Sequence, residues 1–238
     1  MKLSTTIVAS MVLGALAADF KYKRLDREKA VLAVVDHQVG LLHLVRDMDP
    51  TVLKNNIIAH ATMAKAFELP VVITTSAETG PNGPTMAEIT KMFPNVTVIP
   101  RPGQVNAWDN EDFRNAIAAT NRSQVIIGGI ATDVCTAFAA LSMTEAGYEV
   151  FANGEASGTT TELARELANA RMRDAGVQIL TSYAVFGELM RDWRTPPTGV
   201  EVWPFADMAF SSAGFIGRSH GAAVEKGAIM PGQELLSW

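Results

Sequence analysis

Short apolar runs rich in valine and isoleucine alternate with longer, helix-length stretches along most of the chain. The run at residues 31–35 is apolar at every position, which is typical of a strand covered on both faces of a sheet. By the same pattern we predict six strands, at residues 31–35, 71–75, 96–99, 124–129, 149–152 and 177–180.

The stretches between these runs have the length and boundary residues of helices. Pro50 precedes the first of them, Asp109 is placed to cap the third, and Gly147 and Gly176 follow the ends of two others. We predict helices at residues 51–67, 85–92, 109–119, 133–146, 159–173 and 182–192. Alternation of strand and helix requires parallel crossovers, so the pattern predicts a Rossmann-like α/β fold, a three-layer α-β-α sandwich with a six-stranded parallel sheet.

The N-terminal residues form a separate segment. Lys2 precedes an apolar run at residues 5–17 that ends in Ala15-Leu16-Ala17. A short positive region, an apolar stretch and an A-x-A site together predict a signal peptide over residues 1–18, and an ordinary N-terminal helix is the alternative. Cleavage would make the protein secreted or periplasmic, and without cleavage we expect it in the cytoplasm.

The chain beyond Trp193 is rich in glycine, serine and proline, and its hydrophobic periodicity is weak. We therefore predict one domain over residues 22–198 and a C-terminal extension over residues 199–238. We expect the extension to run over the surface or to dock its apolar end, residues 235–238, on a neighbouring subunit.

Composition limits the classes of partner. With 48% hydrophobic residues among 238, the chain can bury one large core, and stability must come from packing because its single cysteine allows no intrachain disulfide. A formal net charge of −5 argues against nucleic acid as the main partner. No apolar run reaches the 18 or so residues that cross a bilayer, so we predict no membrane span.

Three residues follow predicted strands at the edge where a doubly wound sheet binds ligands. Asp36 follows the first strand, Arg101 follows the third, and Cys135 lies shortly after the fourth. The fold predicts that these residues meet at one edge. Singly, each has a simpler interpretation: Asp36 as a turn cap, Arg101 as the partner of a surface carboxylate, and Cys135 as a small core residue.

Cys135 has the position of an activated thiol. With Thr132 as N-cap and Asp133 at the first helical position, it falls in the first turn of a helix. Backbone N–H groups and the helix dipole at that place favour an anion, so we expect the pKa of the thiol to be lowered. Asp36 is the candidate general base.

Three strings of the sequence resemble the isochorismatase-like cysteine hydrolases: VVDHQ at 34–38, PRPG at 100–103 and GGIATDVC at 128–135. Longer strings resemble the YcaC-type subgroup of that family, and the resemblance spans residues 22–194. These strings are YKRLDREKA at 22–30, LVRDMDP at 44–50, TTSAETGPNGP at 74–84, RPGQVNAWDNEDF at 101–113 and ELMRDWR at 188–194.

The resemblance implies a catalytic triad in which Asp36 is the base, Cys135 the nucleophile, and Arg101 stands where most of the family has lysine. Since arginine stays protonated, Arg101 stabilises negative charge but cannot move a proton. The resemblance also implies a cis peptide bond between Ile130 and Ala131, an oxyanion hole formed by the N–H groups of Ala131 and Cys135, and a homo-oligomer built from rings.

The Asp and His ligands of the zinc-dependent nicotinamidases are missing, so we predict no metal and no cofactor. We interpret His37 and His43 as structural or substrate-lining. Five further residues at the same edge are candidates for binding a small-molecule substrate: Gln38, Glu78, Asn106, Trp108 and Phe138. Of these, Trp108 fits a packed aromatic better than a substrate platform, and Phe138 fits either the pocket or the core.

These observations predict a hydrolase that uses a cysteine nucleophile on a small amide or a related C–N bond. Two alternatives remain open from the sequence. One is a non-catalytic oligomeric or secreted interaction protein that keeps the fold. The other is an isochorismate hydrolase, which would cleave a vinyl ether.

Overall fold

The structure is a computed structural model that describes residues 21–228. Within that part of the chain, six strands form one parallel sheet in the order β3-β2-β1-β4-β5-β6. The strands are β1 (Ala30–Val35), β2 (Val71–Ser76), β3 (Val98–Arg101), β4 (Gln124–Gly129), β5 (Glu149–Asn153) and β6 (Gln178–Leu180). The predicted six-stranded parallel sheet is confirmed. The signal peptide predicted for residues 1–18 and the apolar end at residues 235–238 lie outside the described residues.

Eight α-helices are described in the same part of the chain, and they cover both faces of the sheet. They are α1 (Pro50–Ala66), α2 (Ala87–Met92), α3 (Glu111–Ala119), α4 (Ala137–Glu145), α5 (Glu162–Asp174), α6 (Ser182–Met190), α7 (Gly199–Ala209) and α8 (Ser211–Glu225). The predicted three-layer sandwich is therefore confirmed.

Alternate side chains of β1 pack into two separate hydrophobic cores, one on each face of the sheet. Leu32 and Val34 pack on the face covered by α1, α2, α6 and α7. Val31, Ala33 and Val35 pack on the face covered by α3, α4 and α5. Because every β1 side chain is buried, the strand reads as a continuous apolar run in the sequence.

Three local predictions were wrong. The third strand begins at Val98 rather than at residue 96, and Arg101 is its last residue. Asn110, not Asp109, caps α3 by accepting a hydrogen bond from the Phe113 N–H. The helix predicted at residues 133–146 is divided into a π-helical turn, Thr132–Thr136, and α4.

The described part of the C-terminal extension, residues 199–228, is mostly helical, whereas we expected a segment of weak regularity that runs over the surface or docks on a neighbouring subunit. A capping box formed by Thr198 and Glu201 starts α7. Val202 and Ala206 of α7 are buried, 0% and 1% exposed, in the core cluster that also contains Leu53 and Ile57 of α1. This helix is therefore part of the packed domain. No helix within residues 21–228 has the length and hydropathy to cross a membrane.

Candidate active site

The site lies where the strand order reverses. From β1 the chain adds β2 and β3 on one side, then returns to place β4 on the other side of β1. The loops after β1 and β4 consequently leave the same edge in opposite directions, which opens a crevice between them. Asp36 follows β1 and the π-helical turn containing Cys135 follows β4.

Tight backbone packing brings these two loops together. A side-chain Cβ at Gly129 would lie 2.5 Å from the carbonyl oxygen of Val35, so only glycine allows β4 to end this close to β1. Asp36 itself has a φ of 56°, in the left-handed region that non-glycine residues rarely adopt. Such backbone conformations persist where the surrounding structure enforces them, often at functional sites.

Asp36 and Arg101 form a buried, two-pronged ion pair. Nη1 and Nη2 of Arg101 donate to Oδ1 and Oδ2 of Asp36 at 2.9 and 2.7 Å. Nη1 also donates to Thr74 Oγ1 at 2.9 Å, and Nε donates to the main-chain oxygen of Gln104 at 3.1 Å. Both side chains are 0% exposed. The pair can hold a carboxylate in one fixed orientation beside Cys135.

The pKa of the Cys135 thiol is raised in this structure, whereas we expected it to be lowered. Burial raises the pKa of the thiol to about 12, and the charge of Asp36 and a hydrogen bond to its carboxylate act in the same direction. The Ala131 N–H and the charge of Arg101 lower the pKa, but by less. Burial and the neighbouring carboxylate therefore raise the pKa of the thiol by more than the Ala131 N–H and Arg101 lower it.

The turn itself differs from the predicted helix start. Ala131, rather than Thr132, occupies the N-cap position of the π-helical turn, and no side chain caps it. The peptide bond between Ile130 and Ala131 is cis, as predicted. The Ala131 N–H lowers the pKa of the Cys135 thiol, so one of the two N–H groups that we predicted as oxyanion donors lies close to the sulfur.

A cavity of about 290 Å³ opens above Cys135. Its walls come from several loops, and the residues that the sequence did not indicate are mainly apolar: Leu41, Leu44, Ala77, Gln104, Val105 and Val134. Leu44 and Val105 remain 43% and 54% exposed, which places them at the mouth. Isolated apolar residues in polar loops were the available signal in the sequence.

The five predicted substrate-binding residues do not line this cavity. Gln38 is fully buried, and its amide fastens the loop at residues 80–84 to β2: Nε2 donates to the carbonyls of Ser76 and Gly83, and Oε1 accepts from the Ser76 N–H. Glu78 accepts from Thr75 Oγ1 at 3.1 Å. These groups shape the site indirectly.

The other three predicted residues make contacts outside the cavity wall. Asn106 caps a short turn by accepting from the Trp108 N–H and donates to Ser142 Oγ. Trp108 makes an edge contact with Tyr148 at a centroid distance of 5.7 Å, which agrees with a packed aromatic. Phe138 is half-buried beneath Arg171.

Two buried histidines lie behind the site. His37 Nε2 is 2.8 Å from the Ala156 carbonyl, and burial lowers its pKa to about 4. His60, with ring centroids 6.1 Å from His37, has a pKa lowered to about 3 by burial and by His37. His43 is exposed. Among residues 21–228, no group of three or more His, Cys, Asp or Glu side chains is arranged to hold a metal.

Comparisons with known proteins identify the family of the chain. The model of the isochorismatase domain matches residues 30–184. The chain is 50% identical to the protein named "Probable hydrolase YcaC" of Escherichia coli over 179 residues, which are 75% of this chain and 86% of that protein.

Solved structures of similar proteins extend the match over nearly their whole length. YcaC from Pseudomonas aeruginosa, described with hexane-2,5-diol and covalent acrylamide, has a TM-score of 0.81 and 46% identity, covering 85% of this chain and 99% of that one. YcaC from Escherichia coli, described as an octameric hydrolase of unknown specificity, has a TM-score of 0.82 and 45% identity over 85% and 98%. The chain therefore belongs to the isochorismatase-like hydrolase family.

Proposed function

We propose that the protein is a cysteine hydrolase of a small amide or a related C–N substrate, with Cys135 as nucleophile. The observation that carries this proposal is that Cys135 lines a cavity and lies close enough to Asp36 for that carboxylate to raise the pKa of its thiol. The covalent acrylamide described in the Pseudomonas aeruginosa relative is a further reason to propose a nucleophile here.

Attack begins with a protonated thiol. As Sγ of Cys135 bonds to the substrate carbonyl carbon, its proton passes to Asp36, and the carbonyl electron pair moves to the oxygen. Collapse of this intermediate breaks the C–N bond, and the proton returns from Asp36 to the leaving nitrogen. Water then attacks the thioester and gives its proton to Asp36. The released Sγ recovers that proton from Asp36, which restores the resting pair.

The remaining groups of the site stabilise negative charge. Arg101 stays protonated and keeps both oxygens of Asp36 in place, so the carboxylate exchanges a proton without turning. The N–H groups of Ala131 and Cys135 are the proposed donors to the oxyanion, a contribution that is commonly the largest single one in acyl transfer.

Replacing Cys135 with alanine tests this proposal. We expect Cys135→Ala to lower kcat by at least about a thousandfold, because no other group can form the thioester. The free energy of unfolding should change by less than about 1 kcal/mol, since one sulfur is removed next to an open cavity. A panel of small amides with isochorismate supplies the substrates.

Turnover that survives in Cys135→Ala would contradict the proposal. A wild-type protein that hydrolyses nothing in the panel would instead favour the non-catalytic interaction protein. The pH dependence of iodoacetamide labelling gives a second readout, because a thiol held by Asp36 should still gain reactivity well above pH 9.

We also propose a homo-oligomer and an exported mature chain. The Escherichia coli relative is described as an octamer. Leu163 and Leu167, one turn apart on α5, are 68% and 64% exposed, and an apolar pair of this kind suits a contact between subunits. Export rests on the leader predicted at residues 1–18.

A further inference from the structure

The π-helical turn Thr132–Thr136, which carries the thiol, has no side-chain cap of its own. Hydrogen bonds tie it instead to the loop that runs from β5 to α5. The Thr132 N–H donates to the main-chain oxygen of Gly158 at 3.0 Å. Thr159 Oγ1 donates to Asp133 Oδ1 at 2.5 Å. The position of the turn therefore depends on a loop that is distant from it in the sequence.

Thr159 is anchored on its other side by the residues that precede α1. Its N–H donates to Asp47 Oδ1 at 2.8 Å, and its main-chain oxygen accepts from the Arg46 N–H at 2.8 Å. Arg165 of α5 fixes this segment in turn, because its Nη1 donates to the Asp47 main-chain oxygen at 2.7 Å. Thr159 and the side chain of Asp47 are 0% exposed. A buried group that loses its partner here has no water to replace it, so the anchor is firm.

Thr159 thereby joins two parts of the cavity. Leu44, at the mouth, directly precedes the segment that is bonded to the Thr159 backbone, and Cys135 lies on the turn that is bonded to its hydroxyl. A Cβ at Gly158 would lie 2.7 Å from Val45 Cγ1, so the loop and the segment are in close contact. The backbone holds the wall and the hydroxyl holds the turn, so loss of the hydroxyl alone should release the turn and leave the wall in place.

We propose that Thr159 is a positioning residue for Cys135: its hydroxyl, acting through Asp133, holds the π-helical turn so that the thiol lies at the cavity and beside the carboxylate that serves as its base. This inference rests on the proposed function, because it takes the thiol as the nucleophile. Thr159 is fully buried and does not line the cavity, so it acts through the turn and not on the substrate. Reaction rates depend steeply on placement, and a displacement of about 1 Å can cost about 100-fold.

Removing the hydroxyl without changing the shape of the side chain tests this role. We expect Thr159→Val to lower kcat at least about tenfold on any substrate that the panel identifies, and to leave KM within about twofold, because the wall stays in place. Thr159→Ser keeps the hydroxyl and should hold kcat within about threefold of wild type. Thr62→Val removes a hydroxyl from α1 at a residue that is equally buried, 1% exposed, and as the matched control should leave both constants within about twofold.

Labelling with iodoacetamide gives a readout that needs no substrate. Burial is the largest cause of the raised pKa of the Cys135 thiol, so a released turn should expose the thiol and increase its reactivity. We expect Thr159→Val to be labelled about tenfold faster at pH 8, and Thr159→Ser and Thr62→Val to be labelled at the wild-type rate.

Variants of the acceptor repeat the test from the other side of the hydrogen bond. Asp133→Asn keeps an oxygen for the Thr159 hydroxyl and should be labelled as wild type is, whereas Asp133→Ala should be labelled as fast as Thr159→Val. Because Asp133 is half-buried, Asp133→Ala keeps the test available if Thr159→Val does not fold.

Several outcomes would overturn the role of Thr159: wild-type labelling of both Thr159→Val and Asp133→Ala, a Thr159→Ser variant as impaired as Thr159→Val, or a rise in KM in place of the fall in kcat. Equal effects in Thr62→Val would overturn it too, because any buried hydroxyl would then act alike. Failure of the proposed function is distinguishable. If Cys135→Ala keeps turnover, or if wild type hydrolyses nothing in the panel, the labelling rates still decide whether Thr159 holds the turn.

Discussion

At the scale of single residues, the Asp36–Arg101 pair holds two opposite charges where neither side chain reaches solvent. Its stability depends on geometry, because the guanidinium matches both carboxylate oxygens while also reaching Thr74 and the Gln104 carbonyl. A lysine has one compact ammonium group and cannot make all of these contacts. Arginine is therefore the residue that completes this site.

We expect Arg101→Lys to lower the free energy of unfolding by about 2–4 kcal/mol, because buried acceptors lose their donors. It should also lower kcat, since Asp36 is no longer held beside Cys135. Arg194→Lys is the control: Arg194 pairs with Asp192 at the surface, so we expect a change below about 0.5 kcal/mol. Urea denaturation measures both, and equal effects would contradict the importance of the buried pair.

The buried histidines make stability depend on pH. In the folded protein the pKa values of His37 and His60 are lowered from 6.5 to about 4 and about 3, so unfolded chains bind protons that the folded chain does not. The free energy of unfolding should therefore have its full value above pH 6.5 and should fall as the pH drops from 6.5 towards 4.

The variant His60→Gln isolates this effect. It should remove about half of the fall in the free energy of unfolding between pH 6.5 and 4, as measured by urea denaturation across that range. His43→Gln removes an exposed histidine and should leave the slope unchanged. A wild-type slope that both variants reproduce would exclude the buried histidines as its cause.

At the scale of elements, the sheet was predictable because buried parallel strands are apolar whatever packs on them. The third strand begins and ends two residues later than predicted because its last residues are Pro100 and Arg101, which the pattern did not assign to a strand. Proline is tolerated only at the edge of a sheet, and β3 is an edge strand, which the local sequence does not reveal.

The extension was not predictable as helix from its composition. Pro204 lies inside α7 and glycine recurs in α8, and both residue types disfavour helices. Packing against α1 overrides this local preference, because Val202 and Ala206 are buried there. The positions of Asp36 and Cys135 could be predicted because each follows a strand at the same edge of the sheet. The residues of the cavity wall could not, because they depend on how the loops pack.

Substituting an aspartate at Val202 tests the packing of α7. We expect Val202→Asp to lower the free energy of unfolding by several kcal/mol, because an unpaired charge would be buried. Met208→Asp changes the same helix where the side chain is 60% exposed, and should cost about 0.5 kcal/mol or less. Similar melting temperatures for the two variants would show that α7 is not part of the folded core.

At the scale of the whole molecule, mass tests both the proposed assembly and the proposed export. Under native conditions we expect a multiple of the subunit mass, because exposed leucines on α5 suit a contact between copies. Under denaturing conditions the chain purified from its own source should be lighter than 25.5 kDa by the mass of residues 1–17 or 1–18. A monomer, or an intact 25.5 kDa chain, would refute the respective proposal.

The raised pKa of Cys135 has a consequence for the lifetime of the protein. Accessible cysteine thiolates react with peroxides and disulfides, but Cys135 is only 8% exposed and its pKa is raised to about 12. Both properties should slow the oxidation of the single cysteine, which has no second cysteine in the chain to reduce it. For the nucleophile that we propose, this would mean protection in an oxidising compartment until a substrate carbonyl reaches the thiol.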